Sequence, residues 1–254
     1  MSSMRIAWGI TARSLKLIPR LPSTFIPSLV MPVFFIVSFS GAFAGLVALR
    51  GFPAREMLDW FLPMSTLQGC AFAGITTGLG VARDLENGFY DRLLASPAPR
   101  GALLAGPLLA SMFRALIPLT LLITIGLVFG VNVPGGIVGI AMLVVAGILL
   151  ALIAGEWAVG VALRAKTMQA APLIQMLLFL VIFLSTAMMP LNLLTGWVKA
   201  VAEVNPMTDI LALSRQGFLG DVTWATTWPG LLALILGAAA LGLFAHRGIQ
   251  KVVP

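Results

Sequence analysis

GIVGIAMLVVAGILLALIAGEWAVGVAL, residues 136–163, carries a single ionisable side chain, Glu156. About 20 residues of α-helix at 1.5 Å per residue cross the roughly 30 Å hydrocarbon core of a bilayer. The run is continuously apolar. A membrane barrel strand would instead be a segment of about 10 residues alternating apolar and polar. A helix satisfies every backbone N–H and C=O within itself, so it suits such a run in lipid. Outward from this run the chain is much the same: of 254 residues, 59% are hydrophobic and only 10% charged. Soluble domains carry about 25% charge. These proportions predict an all-α integral membrane protein.

Five further spans are expected, at about 25–49, 61–82, within 103–131, 171–189 and 228–246, making six with 136–163. The turn NVPGG separates the third from the fourth. Pro27 and Pro32 in the first are tolerable inside a bundle. Residues 4–20 alternate Ile6, Trp8, Ile10 and Leu17 with Arg5, Arg13 and Lys16, which predicts an amphipathic helix on the membrane surface. No compact basic patch followed by a short apolar core is apparent, so no cleavable signal peptide is expected. Residues 190–227 contain two apolar pieces of about a dozen residues, broken at Asn205–Pro206. Each is too short to cross, which predicts short re-entrant or surface helices before the last span.

The net charge is +7. Basic residues in membrane proteins favour cytoplasmic loops. Arg5, Arg13, Lys16, Arg20, Arg83, Arg92, Arg100, Arg164, Lys166, Arg247 and Lys251 fall on one side, against Arg50, Arg55, Lys199 and Arg215 on the other. Both termini and the loop at 82–100 are therefore expected in the cytoplasm, and residues 190–227 outside. No basic cluster interleaved with exposed aromatics points to nucleic acid. Cys70 and His246 are each the sole residue of their type, so neither can build a cysteine cluster or a histidine metal site. Gly74-x-x-x-Gly78 and Gly126-x-x-x-Gly130 permit close helix approach and read as packing.

The stretch ARDLENGFYDRLLASPAPR, residues 82–100, is the densest run of charge. Read as a helix over 82–94, it aligns Leu85, Phe89 and Leu93 on one face, widened by Tyr90 and Leu94, with Gly88 weakening the middle. Three readings stand at this point. It is a solvated topology loop, or a carboxylate site built on Asp84, Glu86 and Asp91, or a docking helix for a cytoplasmic partner.

Residues 86–100, ENGFYDRLLASPAPR, resemble the cytoplasmic motif of ABC-2 type transporter permeases, approximately E-x-G-T-x-x-R-L-x-x-[ST]-P-x-x-R. Glu86, Gly88, Arg92, Leu93, Ser96, Pro97 and Arg100 match, while Phe89 stands where Thr is commonest. FLSTAMMPLNLLTGWVKAVAEVNPMTDILALSR resembles the family's outward segment, with Pro190, Trp197, Asn205, Pro206 and Arg215 in order. The likeness is greatest to daunorubicin-resistance-type drug exporters and to polysaccharide or nodulation-factor exporters. It implies a permease subunit in the cell inner membrane, paired as a homo- or heterodimer and bound to two cytoplasmic ATPase subunits. It implies ATPase coupling through Glu86, Gly88, Phe89, Arg92, Leu93, Pro97 and Arg100. It also implies an outward gate at Pro190, Trp197, Asn205, Pro206 and Arg215, and expulsion of a lipophilic drug or lipid-like substrate, or alternatively of a polysaccharide or glycolipid. ATP and Mg²⁺ would be bound by the partner subunit, because this chain has no G-x-x-x-x-G-K-[ST] loop and is expected to bind no cofactor or metal itself.

Glu156 and Arg114 both fall at hydrocarbon depth and are expected to pair there. Phe34, Phe35, Phe39, Met64 and Phe72 either line an apolar substrate path or pack between spans. A membrane-embedded enzyme is the rival from another class, and it lacks a clustered metal set or a serine nucleophile motif. A mere membrane anchor would need neither kinked spans nor outward short helices.

Overall fold

The computed structural model describes residues 3–19, 22–94 and 98–252. Among these, every regular element is a helix. The order is α1 (Ser3–Lys16), α2 (Pro22–Ala42), α3 (Met57–Glu86), α4 (Phe89–Leu94), α5 (Arg100–Val128), α6 (Gly136–Ala165), α7 (Ala171–Phe183), α8 (Gly196–Val204), α9 (Pro206–Leu219) and α10 (Trp224–Val252), with 3₁₀ turns at Ala44–Ala48 and Met168–Ala170. By length and composition, α5, α6 and α10 are long enough and apolar enough to cross a membrane. Helix α3 is as long as α6, at 30 residues, but more polar at its ends. The chain is a multi-pass membrane protein.

The fifth expected span, 171–189, is shorter than the sequence suggests. Helix α7 stops at Phe183 after 13 residues, about 20 Å. The chain from 184 onward turns, and its carbonyls are taken by side chains from elsewhere, as described below. The two short helices expected in 190–227 are present as α8 and α9, of 9 and 14 residues. Their boundary is fixed chemically. The Asn205 side chain accepts from Met207 N–H at 3.0 Å, and Pro206 opens α9 where a missing N–H costs nothing.

Helix α3 is the hub and packs on α2, α5, α6 and α9. Its contact with α6 is backbone to backbone. A Cβ built on Gly74 would lie 2.2 Å from Ala151 O, and one on Gly78 would lie 2.3 Å from Ala158 Cβ. Only glycine allows that approach. Gly126 meets Leu62, whereas Gly130 meets nothing and instead ends its helix with φ +88°. Helix α1 lies across α5, where Thr11 Oγ1 donates to both Ala7 O and Gly106 O at 2.9 Å. A smaller apolar cluster (Val81, Leu85, Tyr90, Leu103, Leu163, Ile249) fills the end of the bundle beside α1 and α4, apart from the main core.

Candidate functional site

The helix expected over 82–94 is in fact two. Helix α3 ends at Glu86, Asn87 N–H bonds to Arg83 O at 3.0 Å, and Gly88 takes φ +66° before α4 begins at Phe89. A left-handed residue after a helix is where glycine has no Cβ penalty. The break turns Glu86 toward the loop after α6. Its Oε1 accepts from Met168 N–H at 2.7 Å and from Thr167 Oγ1–H at 2.8 Å. Those donors hold the Glu86 carboxyl below the usual carboxylate range.

Arg13 fastens α1 to the same junction. Its two terminal nitrogens donate to Asp84 at 2.6 and 2.8 Å, and its guanidinium lies 3.9 Å from the Phe89 ring centroid. The carboxylate partner raises Arg13 above its ordinary value. The apolar stripe is used within the chain. Leu85 and Tyr90 are buried in the smaller cluster with Leu93 against it, and Tyr90 O–H donates to Leu103 O at 3.2 Å. Burial pushes the Tyr90 phenol up. Arg92 and Arg100 stay exposed at this end, as do Asn87 and Glu86. Pro97, like Ser96, lies outside the described residues.

The structure does not bring Arg114 and Glu156 together. Arg114 Nη1 donates to Thr76 Oγ1 at 3.3 Å and Nη2 to Ser14 O at 2.6 Å. Glu156 is buried with Oε2 unpartnered, and its Oε1 is 3.0 Å from where a Cβ on Gly242 of α10 would stand. The reason is helical rotation. Gly155 of α6 faces α5, at Ser111. One residue on, at about 100° around the helix, Glu156 faces α10 instead. The expectation of equal depth carried no information about which way each side chain faces.

At the other pole, Arg215 is 2% exposed and forms no salt bridge among the described residues. Its Nε donates to Trp60 O at 3.1 Å, Nη1 to Thr186 O at 2.7 Å and Nη2 to Ala187 O at 2.8 Å, with the guanidinium 3.6 Å from the Trp60 ring centroid. Asn205 Nδ2 donates to Val181 O at 2.8 Å and Leu184 O at 2.9 Å. Together Asn205 and Arg215 absorb the carbonyls left free where α7 ends, and they bind that end to α3 and α9. Pro190 is buried nearby in sequence, and Trp197 on α8 is 67% exposed. The sequence singled out Arg215 but not its partners. A lone arginine in an otherwise apolar helix is the signal that such carbonyls must exist.

Of the aromatics considered for a path, Phe35 stacks on Phe39 at 4.9 Å and meets Phe183 at 5.8 Å, while Phe72 meets Phe179 at 5.5 Å. Met64 is fully buried and Phe34 is exposed on the outside of α2. These are packing contacts among α2, α3 and α7.

Residues 7–219, which contain both poles, match the family model for the ABC-2 type transporter. The chain belongs to that family. The ABC-2 match includes the Glu86 junction and the Arg215 clasp, and α10 follows it. Curated ABC-2 relatives agree. The chain is 27% identical over 239 residues to the daunorubicin resistance ABC transporter permease protein DrrB1 of Streptomyces coeruleorubidus, covering 92% of this chain and 81% of that one. It is 24% identical over 198 residues to the probable doxorubicin resistance ABC transporter permease protein DrrC of Mycobacterium tuberculosis, covering 78% and 71%. It is 25% identical over 198 residues to the probable multidrug ABC transporter permease YbhR of Escherichia coli K12, covering 74% and 53%.

Proposed function

We propose that this ABC-2 protein is the membrane subunit of an ATP-driven exporter that moves a lipophilic drug or lipid-like compound out of the cell. Two separate ATPase subunits bind and hydrolyse ATP with Mg²⁺, and a second permease, identical or related, completes the pathway. The chain crosses the inner membrane six times, by α2, α3, α5, α6, α7 with the turn after it, and α10. Both termini and the Glu86 junction face the cytoplasm, and α8 and α9 lie at the outer side. The names of the relatives support the drug class. So does an apolar cavity of about 220 Å³ walled by Leu150, Trp157, Leu178, Met207 and Leu241 among α6, α7, α9 and α10.

The observation that carries the coupling role is the junction itself. Arg13–Asp84, Arg13 over Phe89 and Glu86–Met168 tie α1, α3, α4 and the loop after α6 into one unit, with Arg92 of α4 and Arg100 at the start of α5 exposed at this end. An ATPase bound at Arg92 and Arg100 would therefore move three helices at once. The test is co-purification and reconstitution with an ATPase subunit. Arg92→Glu with Arg100→Glu should abolish ATPase capture and transport while membrane insertion stays normal. Full capture and transport by the doubly substituted chain would refute the docking role.

A further inference from the structure

A cavity of about 80 Å³ lies where α1 crosses α3, α4 and α5. Arg13, Arg83 and Arg114 line it, with Asp84 as the single acid among the lining residues. Arg13 is neutralised by its two-pronged bond to Asp84. Two cations remain. Arg114 is 9% exposed, its two hydrogen bonds go to neutral acceptors, and its Nε–H is buried without a partner. The Arg83 guanidinium makes no hydrogen bond or salt bridge among the described residues, and Glu86, on which it acts electrostatically, is engaged by the loop after α6. A buried guanidinium with no anion is costly, and a phosphate ester relieves that cost with geometry a guanidinium fork matches.

The depth of this cavity says where such a phosphate would come from. On the outer side of α1, Trp8 is 55% exposed and packs edge-on against Phe113, which is 41% exposed, with centroids 5.8 Å apart. An exposed Trp sits at the headgroup level of a bilayer, and Phe113 is in contact with it. Phe113 immediately precedes Arg114, so the guanidinium enters the cavity at that level. The rest of the lining includes Ile10, Leu17 and Ile18 of the α1 region and Leu79 of α3, which suits glycerol and acyl carbons better than water. The volume is that of about two or three waters, the scale of one phosphate group.

We propose that this cavity holds the phosphate of an anionic phospholipid, gripped by Arg114 and Arg83 beneath the amphipathic helix. The lipid fills the seam between α1 and the spans and holds the helix on the bundle. This role is independent of what the protein transports.

Native mass spectrometry of the full-length chain tests it, using micelles that hold equal amounts of phosphatidylglycerol and phosphatidylcholine with identical acyl chains. The wild type should retain phosphatidylglycerol preferentially. Arg83→Gln and Arg114→Gln should each cut the preference about fivefold, the effect expected of one arginine near an anionic headgroup. The double substitution should abolish it. Arg247→Gln, on the separate basic surface of α10 beside Arg164 and Lys251, should leave it unchanged. No preference in the wild type would overturn the proposal, as would a preference that survives Arg83→Gln or that is lost with Arg247→Gln. Displacement of the lipid by millimolar inorganic phosphate would overturn it too, by showing a site for soluble anions. Should Arg114→Gln fail to fold, Arg83→Gln decides alone, because that side chain is partly exposed and makes no hydrogen bond or salt bridge among the described residues.

Discussion

Replacing Arg215 by leucine removes three hydrogen bonds from a charged donor, to Trp60 O, Thr186 O and Ala187 O, and the stacking over Trp60. A hydrogen bond to a charged group contributes roughly 1.5–3 kcal/mol net, so the three amount to at least about 4.5 kcal/mol. Leucine returns roughly 2 kcal/mol by burying its own side chain. The stranded carbonyls of Thr186 and Ala187 lie in a turn with no helical donor to replace the guanidinium, which adds about 1–3 kcal/mol each. The expected loss is therefore at least about 4.5 kcal/mol. Arg215→Lys retains the charge and reaches one carbonyl at a time, so it should lose about half as much. Titration with sodium dodecyl sulfate in mixed micelles, followed by helical circular dichroism, measures both. Wild-type stability in Arg215→Leu, to within about 1 kcal/mol, would refute the clasp. Wild-type stability in Arg215→Lys would refute the need for a planar fork.

Gly78→Ala should destabilise the α3–α6 contact by about 1–3 kcal/mol, because the new methyl meets Ala158 backbone carbon at 2.5 Å, whereas Gly41→Ala on α2 meets nothing and should be neutral or slightly stabilising. The same denaturation assay separates the two. Asp84→Asn should free α1 at a cost of about 1 kcal/mol, modest because Arg13 is 37% exposed, and should speed tryptic cleavage after Arg13; exchanging the residues, Arg13→Asp with Asp84→Arg, should restore protection. The Glu86 contact should depend on acid. Its carboxyl is held below the ordinary range when folded, so its stabilisation is full above that range and fades as pH falls through it. Glu86→Gln should thus melt below wild type at neutral pH, and the gap should close below about pH 4. A gap that does not change with pH would sink that account.

What the sequence discloses well is position along the chain. Runs of apolar residues located α5, α6 and α10, and Asn205–Pro206 located the boundary between α8 and α9, because capping and a missing N–H are local chemistry. What it discloses poorly is rotation. The apolar stripe of Leu85 and Leu93 was visible, but not that it faces the chain's own core around Tyr90. Arg114 and Glu156 were correctly placed in long helices, yet one residue of helical phase separates facing α5 from facing α10. The early end of α7 was hidden for a related reason. Residues 184–189 are apolar enough to continue a helix, and their turn is held by Asn205 and Arg215, which lie 16 or more residues further on. The break at Asn87–Gly88 was half legible, since Gly88 marked a weak point without giving its handedness.

The glycine seam of α3 has a mechanical consequence. With Gly74 seated on Ala151 and Gly78 on Ala158, any spin of α3 about its long axis would drive a neighbouring side chain into the α6 backbone. The close seam resists torsion and couples α3 to α6 as a beam. That beam is about 45 Å long. One end carries the Glu86 junction and the other carries Trp60, on which Arg215 rests. A push delivered at the first end thus reaches the second as tilt, with the seam acting as the weld.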